Sequence, residues 1–420
     1  MTQRNKLKVG TLRTLMAALV ASASGLFAQE SVRPSLTGAT ASEARRAVFR
    51  SKPNYNLKAG PVIFDLRGGL EIEFNDNVNL SDDNREADLI LRPRLLLNSF
   101  WQITPLNALS LDVGISYAKY FNEQGLDANS VLIAPNSQLS FDIFVGDFRI
   151  NLHDRFSILQ DPLDEITLSE VGDFTRFQNT AGVSVLWDLN DVKLVFGYDH
   201  YTFHALTDNF SFLDRSEEQF TFSAAFLLSD ATTVGIDAGA AIIDYDEDFN
   251  NDGVSLQAGA FYETQISNYL RLRLAAGYQA IDFDTGGSNG DTSDYGGPYA
   301  NVTIAHRLNA YVTQTLSVGY ETRLGLTSNF VELAFVRYSA GWRINRHITL
   351  NGDAYYEDSN ESSDFLSEKA RRFGTGLGFD YQLTKKLLVG ARYQFSVKDS
   401  NLPERDYYQN RLALNFTYDF

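Results

Sequence analysis

The chain ends in Arg411-Leu-Ala-Leu-Asn-Phe-Thr-Tyr-Asp-Phe420, a stretch that alternates polar and apolar side chains up to a terminal aromatic residue. A strand in a barrel wall shows one row of side chains to lipid and the other to the interior, so its sequence has a period of two. The row predicted to face lipid consists of Leu412, Leu414, Phe416, Tyr418 and Phe420. Strands of this type recur along nearly the whole sequence, which predicts an all-β fold, a transmembrane antiparallel up-and-down β-barrel of the outer-membrane type.

The connections between the strand-like segments support this interpretation. Eighteen segments follow one another from Val62, with sixteen as the alternative count. Short connections such as Gly146-Asp147 alternate with long ones such as 122–135, 160–172 and 284–297. Outer-membrane barrels have short periplasmic turns and longer external loops, and an even strand number leaves both termini in the periplasm. A soluble all-β sandwich or propeller is the alternative, but neither needs outward rows of Leu, Phe and Tyr.

Three segments are predicted along the chain. An apolar stretch at 15–27 is typical of a secretory signal peptide, residues 1–28, cut after Ala28. The basic residues ahead of it are Arg4, Lys6, Lys8 and Arg13. Residues 29–60 contain few large apolar groups and are predicted to form a flexible periplasmic N-terminal tail, with a short helix near 42–49. Residues 61–420 are predicted to form the outer-membrane β-barrel.

Charge and composition exclude several functions. Removal of the predicted signal peptide takes the formal charge from −17 to −21, which argues against nucleic acid as a partner. The chain has no cysteine, as expected for an exported protein that folds without disulfides, so a thiol-based metal site is excluded. No nucleophile elbow, phosphate-binding glycine loop or metalloprotease motif is present. The chain is predicted not to be an enzyme, and neither a cofactor nor a metal site is predicted.

Arginine recurs on the row opposite the apolar one. The predicted pore-lining residues are Arg92, Arg94, Arg149, Arg155, Arg271, Arg273 and Arg392. Arg372 and Arg411 are also placed inward, with less support from the pattern. The predicted inward acids are Asp65, Glu71, Glu73, Asp112, Asp142, Asp199, Asp237, Asp353 and Asp380. Two interpretations remain open: the two sets pair across strands to satisfy buried charge, or unpaired arginines form a ladder that lowers the barrier for an anion.

The beginning of the predicted barrel resembles a known family. The strand 62–74 and the following Asn75-Asp-Asn-Val78 are similar to those of the putative β-barrel porin type 2 group of outer-membrane proteins. The resemblance covers residues from about 60 to 420. Asn415 stands where the usual assembly signal tends to have Gly, whereas Tyr418 and Phe420 fit that signal. The resemblance implies a large outer-membrane barrel, sometimes linked with exopolysaccharide export, and supplies no catalytic residues.

Two functions of different classes follow. The first is an outer-membrane porin or export pore for passive passage of small or polymeric solutes, with a preference for anions such as acidic saccharides. The second is a non-conducting structural or surface-interaction barrel with a charge-paired, loop-filled lumen, in which loop 122–135 or 284–297 does the filling. The predicted partners are outer-membrane lipid and lipopolysaccharide, the barrel-assembly machinery through the C-terminal strand, and an anionic saccharide. The predicted location is the outer membrane, with both termini periplasmic.

Overall fold

The computed structural model describes residues 55–127, 131–362 and 367–420. The predicted signal peptide, the predicted helix near 42–49 and most of the predicted tail lie outside these residues. Within the described ranges, no helix has the length and apolar character needed to cross a membrane.

Eighteen long strands form the wall, each antiparallel to its neighbours in chain order. The strands are β1 (Val62–Asn75), β2 (Asp88–Thr104), β3 (Asn107–Ser116), β4 (Gln138–Val145), β5 (Phe148–Leu159), β6 (Arg176–Asp188), β7 (Val192–Ala205), β8 (Arg215–Ser229), β9 (Thr232–Tyr245), β10 (Gly253–Ser267), β11 (Leu270–Phe283), β12 (Tyr295–Arg307), β13 (Val312–Leu324), β14 (Phe330–Arg343), β15 (Ile348–Glu361), β16 (Lys369–Gln382), β17 (Leu387–Ser400) and β18 (Tyr407–Asp419). The predicted fold class and the count of eighteen are confirmed.

The first strand pairs with the last, from Arg67 opposite Asp419 to Asn75 opposite Arg411. This pairing closes the sheet, so the wall has no free edge strand. Three short segments extend the pairing. They are Leu57–Ala59 against the start of β1, Lys119–Tyr120 against β2, and Leu132–Ile133 against the end of β3. Pairing therefore begins a few residues before the predicted start of the barrel.

The predicted alternation is visible in the exposure of side chains. On β18, Leu412 and Leu414 expose 50% and 45% of their surface, whereas Ala413 between them exposes 9%. In water, each square ångström of such an apolar row would cost about 25 cal/mol to leave uncovered. In a bilayer the outward row is solvated by acyl chains, so the burial needed for stability falls on the inward row and on the loops.

The two ends of the barrel differ in packing. At the end where the long loops lie, buried apolar side chains form clusters between loops and inward wall residues. One cluster joins Leu168 and Phe174 to Tyr201 and Phe203 of β7 and to Leu326. Another consists of Ala241, Ile243, Tyr245, Ile281, Tyr295, Leu324 and Phe330. At the end where the short turns lie, inward charged side chains such as Arg271 of β11 remain largely exposed.

Candidate functional site

The loop between β5 and β6, residues 160–175, reaches across the barrel. It starts and ends on the fifth and sixth strands of the wall, yet it also has contacts on β14 and β16 to β18 and on the loop before β18. We call it the constriction loop. The sequence pattern pointed to loops 122–135 and 284–297 for this role. Both pack at the same end, through Leu126 and Leu132 and through Asp291, and among the described residues of these three loops it is the constriction loop that has contacts on the far wall.

The first anchor is an ion pair between the constriction loop and the last strand. Arg411 Nη1 donates to Asp161 Oδ2 at 2.7 Å, and its Nε donates to Glu73 Oε1 at 3.1 Å. Glu73 in turn accepts from Arg92 at 2.9 Å, and Arg92 also donates to Glu71 at 3.1 Å. Charges removed from water need partners of this kind, because an unpaired buried charge costs several kcal/mol. The charges of these side chains therefore alternate in sign from one wall strand to the next, and the series ends at Asp161 on the constriction loop.

Asp161 has a second role as the cap of the loop's first turn. Its Oδ1 accepts from the backbone N–H of Leu163 at 3.0 Å, with Pro162 as the first residue of the turn. Burial by itself raises the pKa of Asp161, but the Arg411 guanidinium and the Leu163 N–H outweigh it and hold the pKa below its ordinary value. The carboxylate is therefore the stable form in the folded protein.

The second anchor is Arg372 on β16. Its Nη2 and Nε donate to Glu357 Oε2 at 2.6 and 3.0 Å, and its Nη1 donates to the carbonyl oxygen of Leu163 in the constriction loop. Arg337 on β14 donates to the other oxygen of Glu357 at 2.9 Å. A carboxylate that accepts from two guanidinium groups fixes both of them. Arg372 is thus oriented toward the loop by the wall itself.

The third anchor is a buried network around Lys398 and Glu368. The two side chains are 0% exposed and form an ion pair of 2.8 Å. Lys398 Nζ also donates to Ser169 Oγ at 3.0 Å, and Ser169 Oγ donates to the carbonyl of Arg405 at 2.8 Å. Arg405 completes the network by donating to Glu368 at 3.2 Å and to the Thr167 carbonyl at 3.3 Å. The constriction loop is therefore bound to the far wall at two places, near its start and at Thr167 and Ser169.

Apolar packing holds the middle of the constriction loop. Ile166 packs with Leu333 and Phe335 of β14 and with Ala370 of β16. Leu168 packs in the cluster of Phe174, Tyr201 and Leu326. Burying a side chain of this size contributes about 1.5–3 kcal/mol relative to leaving it in water. The loop is thus an integral part of the packed end of the barrel.

Other loops interlock over the opposite half of the same end. Asn250 donates to the Leu326 carbonyl at 3.2 Å, and Asn251 donates to Asn329 Oδ1 at 2.9 Å. Asp291 accepts from the backbone N–H of Asn329 at 2.9 Å and from Ser362 Oγ at 2.5 Å. These bonds join loops that are distant in sequence, so the long-loop end is covered from several sides.

The predicted pore-lining arginines differ in their partners. Four have carboxylate partners: Arg92 with Glu71 and Glu73, Arg271 and Arg273 with Glu263 at 3.9 and 3.3 Å, and Arg392 with Asp353 at 2.6 Å. Arg149 and Arg155 are two further predicted pore-lining residues. The Arg149 guanidinium lies 5.8 Å from the Phe144 ring, and Arg155 lies opposite Gln138 in the strand pairing. For the four paired residues, cross-strand pairing describes the structure better than a ladder of unpaired arginines.

Arg94 differs from these four. Within the described residues it has no carboxylate within 4.0 Å, and its Nη2 donates to Thr417 Oγ1 at 3.2 Å. Its Nε is buried and has no hydrogen-bond partner. The side chain lies over Gly69 of β1, where an added Cβ would come within 2.5 Å of Nε. Arg94 follows Arg92 on the same face, about 6–7 Å further along the strand from the constriction loop, and keeps an unused donor there.

Most of the anchors cannot be identified from the sequence. Its pattern places Arg372 and Arg411 inward without a role, and it indicates no role for Asp161, Glu357 or Lys398 as an anchor. The alternation on β15 and β17 puts Glu357 and Lys398 on the inward row, so the inward position of these two residues can be predicted from the alternation. No local pattern links Asp161 to a strand that lies 250 residues away in sequence.

The histidines form separate pairs. His153 Nε2 lies 2.6 Å from Asp199 Oδ1 on inward rows. His200 and His204 lie on the outward row of β7 and contact Glu218 and Asp214, respectively. Across the described ranges, no group of three His, Asp or Glu side chains is arranged to hold a metal ion.

Comparisons with known proteins agree with this architecture. A family model described as putative beta-barrel porin 2 matches residues 58–420. No curated protein matches the chain. Among solved structures, OccAB3 of Acinetobacter baumannii is 11% identical with a TM-score of 0.50, over 85% of this chain and 99% of that chain. The same values hold for Pseudomonas aeruginosa OpdK with vanillate. For P. aeruginosa OccK2 (OpdF) in complex with glucuronate, identity is 10% and the TM-score 0.50, over 86% and 98% of the two chains. At such identities these likenesses show the fold alone.

Proposed function

Because the chain belongs to the putative beta-barrel porin 2 family, we propose that it is an outer-membrane channel through which small solutes diffuse past the constriction loop, with a preference for anions. In this proposal the long loops face the outside and both termini lie in the periplasm, as in outer-membrane barrels with short periplasmic turns. The mechanism is passive, so solutes bind weakly enough to leave again.

The observation that carries the proposal is the anchoring of the constriction loop on the far wall. A loop bound at two places on the far wall divides the lumen, so solutes must pass beside it. At the short-turn end the inward side chains of Arg67 and Arg271 are 41% and 63% exposed, which supports a lumen that is open to water on that side. A wide vestibule that leads to a narrow, rigid passage favours small solutes. A polysaccharide chain is the less supported cargo, because it would need the loop to leave its anchors.

Arg94 supports the preference for anions. It lies on the inward row just below the constriction loop, and within the described residues its positive charge has no carboxylate within 4.0 Å. A carboxylate is a natural acceptor for such a group, because charge-assisted hydrogen bonds to guanidinium are short and strong. Two proteins of similar fold were solved with small carboxylates, vanillate in OpdK and glucuronate in OccK2. We therefore propose small carboxylates, acidic sugars among them, as the solute class.

The second candidate is a non-conducting barrel, and one observation favours it. The loops around Asn250, Asn251 and Asp291 interlock at the same end as the constriction loop and add to its cover. If this cover is complete, the barrel has a structural or surface-interaction role.

Single-channel recording of the refolded protein in a planar bilayer separates the two candidates. The proposed channel gives a steady conductance and a reversal potential of anionic sign under a salt gradient, and Arg94→Gln moves that potential toward zero. Arg271→Gln is the matched control, because Arg271 has a carboxylate partner and lies at the open end. Insertion of well-folded protein without conductance would instead support the non-conducting barrel.

A further inference from the structure

The pairing between β12 and β13 stops before either strand ends. The last paired residues are Ala300 and Tyr320, although β12 begins at Tyr295 and β13 continues to Leu324. On its other side, β13 stays paired with β14 up to Leu324. At the long-loop end, β13 has therefore left β12 and is held by β14 alone.

The sequence of β12 explains why the pairing ends there. Arg307 donates its N–H to the carbonyl of Tyr269, next to β11, so the odd residues of β12 bond to β11 and the even residues bond toward β13. The next even residue beyond Ala300 is Pro298, which has no N–H to donate. The ladder to β13 therefore lacks a donor at the first position where it would have to continue.

The end of β13 and the turn that follows it lie inside the barrel, and we call residues 321–330 the flap. Val318 and Val336, on the lipid-facing rows of β13 and β14, are 40% and 41% exposed, whereas Leu324 and Phe330 on the same rows are 9% and 8% exposed. The side chains that cluster with Leu324 and Phe330 belong to inward rows of the wall, namely Ala241, Ile243, Tyr245, Ile281 and Tyr295. The flap thus packs its lipid-facing side against the inner surface of the wall.

The tip of the flap reaches further across the lumen. Leu326 packs with Tyr201 and Phe203 of β7, six strands away from β13. The same cluster contains Leu168 of the constriction loop. The flap and the constriction loop therefore meet, and the flap covers the part of the lumen beside β7 to β12.

The flap is attached to the wall along one side only. On that side β14 stays paired with β15 almost to the turn, whereas the other edge of β13 beyond Tyr320 has no partner strand among the described residues. Extending the register would place Leu324 opposite Gly296, with only the N–H of Pro298 missing from the ladder. The inward arrangement gains apolar packing, and the outward one gains backbone hydrogen bonds. Each arrangement satisfies groups that the other leaves without partners, which is the condition for a two-state element.

We propose that the flap is a movable gate of the channel. Packed inward, it limits the lumen to the space beside the constriction loop. Turned outward, it pairs with β12, completes the wall and opens the lumen beside β7 to β12 to larger solutes. The gate rests on the channel function proposed above, whereas the movement of the flap can be measured without it.

Paired cysteines test the movement, because the chain has no cysteine of its own. Gly296→Cys with Leu324→Cys joins in the outward arrangement only, because Gly296 is exposed on the lipid-facing row of β12 while Leu324 packs inside the wall. Facing residues of a ladder have Cα atoms about 5.5 Å apart, within reach of a disulfide. We expect oxidation of the folded, inserted protein to form this bond, seen as a mobility shift of the unfolded chain on a gel. In planar bilayers the conductance and the size of polyethylene glycol that enters should both rise, and reduction should reverse the change.

Asn251→Cys with Asn329→Cys is the matched control that holds the flap inward. The two native side chains share a hydrogen bond of 2.9 Å, so a short bifunctional thiol reagent can bridge the cysteines. The bridged protein should keep the conductance and the polyethylene glycol limit of the parent chain. An outward pair that does not join in folded protein, or that joins without a change in conductance while the parent chain conducts, would overturn the gate. A joined outward pair without conductance in any variant would refute the channel itself.

Leu326→Ser tests the gate without cysteines, for use if the outward pair fails to fold. It removes the packing of the tip on Tyr201 and Phe203, so the flap should turn outward more often and openings to the larger conductance should become more frequent. Leu132→Ser is the matched control in the cluster of loop 122–135 and should leave these openings as rare as in the parent chain. Equal recordings of Leu326→Ser and Leu132→Ser would contradict a gate at the flap.

Discussion

Arg271 and Arg411 are the same residue type on the inward row, yet the two ends of the barrel give them different roles. At the short-turn end, Arg271 is 63% exposed and lies 3.9 Å from Glu263. At the long-loop end, Arg411 is 13% exposed and holds two carboxylates at 3.1 and 2.7 Å. Exposed pairs contribute about 0–1 kcal/mol, whereas breaking a buried pair costs about 3–5 kcal/mol. Position along the strand therefore decides whether an inward arginine forms a weak, exposed ion pair or holds the structure together.

Replacing each arginine by methionine is the strongest test of this difference. We expect Arg411→Met to lower the free energy of unfolding by about 3–5 kcal/mol, because Asp161 loses its cation while it stays buried. Arg271→Met, the matched control, should lower it by about 0–1 kcal/mol. Thermal unfolding followed by heat-modifiable gel mobility measures both. In bilayers, Arg411→Met should also show a larger and noisier conductance, because the constriction loop loses its first anchor. Equal effects of the two variants would remove the distinction between the ends.

The apolar anchor of the constriction loop gives the next effect in size. Ile166→Ala removes the side chain that packs on Leu333 and Phe335, and we expect a loss of about 2–3 kcal/mol, the lower part of the range for such truncations, because a loop can partly relax into the space. The control is Leu377→Ala on the lipid-facing row of β16, where acyl chains fill the space. Unfolding midpoints in denaturant measure both variants. If Leu377→Ala proves as costly as Ile166→Ala, the loop is not the better packed of the two sites.

The pH dependence of the loop follows from Asp161. Burial raises the pKa of this carboxyl, but Arg411 and the Leu163 N–H lower it further, so the net pKa in the folded protein is below the ordinary value of 3.8. A lowered pKa contributes stability above the ordinary value, and this contribution is lost as pH falls through the folded pKa. We expect the contribution of Asp161 to be complete above about pH 4, with the loop loosening and conductance rising as this contribution is lost in more acidic solution.

Asp161→Asn is the control for that titration. It removes the titrating group and keeps the cap on Leu163, so its conductance should already be raised at neutral pH and should change less on acidification. An acid transition of the same size in Asp161→Asn would assign the effect to other carboxyl groups.

The wall could be predicted from the sequence because its physics is local. Each strand needs only an alternation of lipid-facing and inward side chains with a period of two residues. Leu412, Leu414 and Phe416 show this alternation without reference to any other part of the chain. The strand count and the short turns follow from the same period. Parity also places Arg92 and Arg392 on the row that carries their partners, Glu71 on the adjacent strand and Asp353 two strands away, since the side chains of one row face the lumen on every strand.

The packed end could not be predicted in this way, because its contacts join residues that are distant in sequence. Asp161 meets Arg411, and Ser169 meets Lys398, across more than 200 positions. Which long loop turns inward depends on the sum of such contacts, and 122–135 and 160–172 look alike as sequences. The pairing of β12 with β13, which stops at Ala300 and Tyr320, is an intermediate case, since Gly296-Gly297-Pro298 marks a weak strand but does not show which neighbour it leaves.

Arg94 lies between the two ends, and a change at Gly69 gives the smallest and most specific test. A Cβ at Gly69 would come within 2.5 Å of Arg94 Nε and 2.7 Å of its Cγ, so Gly69→Ala should push the guanidinium away from Thr417 into the passage. Backbone stability should change little, because alanine is tolerated in a strand at least as well as glycine. We expect a slightly smaller single-channel conductance with a stronger anion preference, opposite in sign to Arg94→Gln. Gly68→Ala is the matched control, since its Cβ would point outward, 3.2 Å from the Phe420 ring. A reversal potential that is the same in Gly69→Ala and Gly68→Ala would mean that Arg94 does not set the selectivity of the passage.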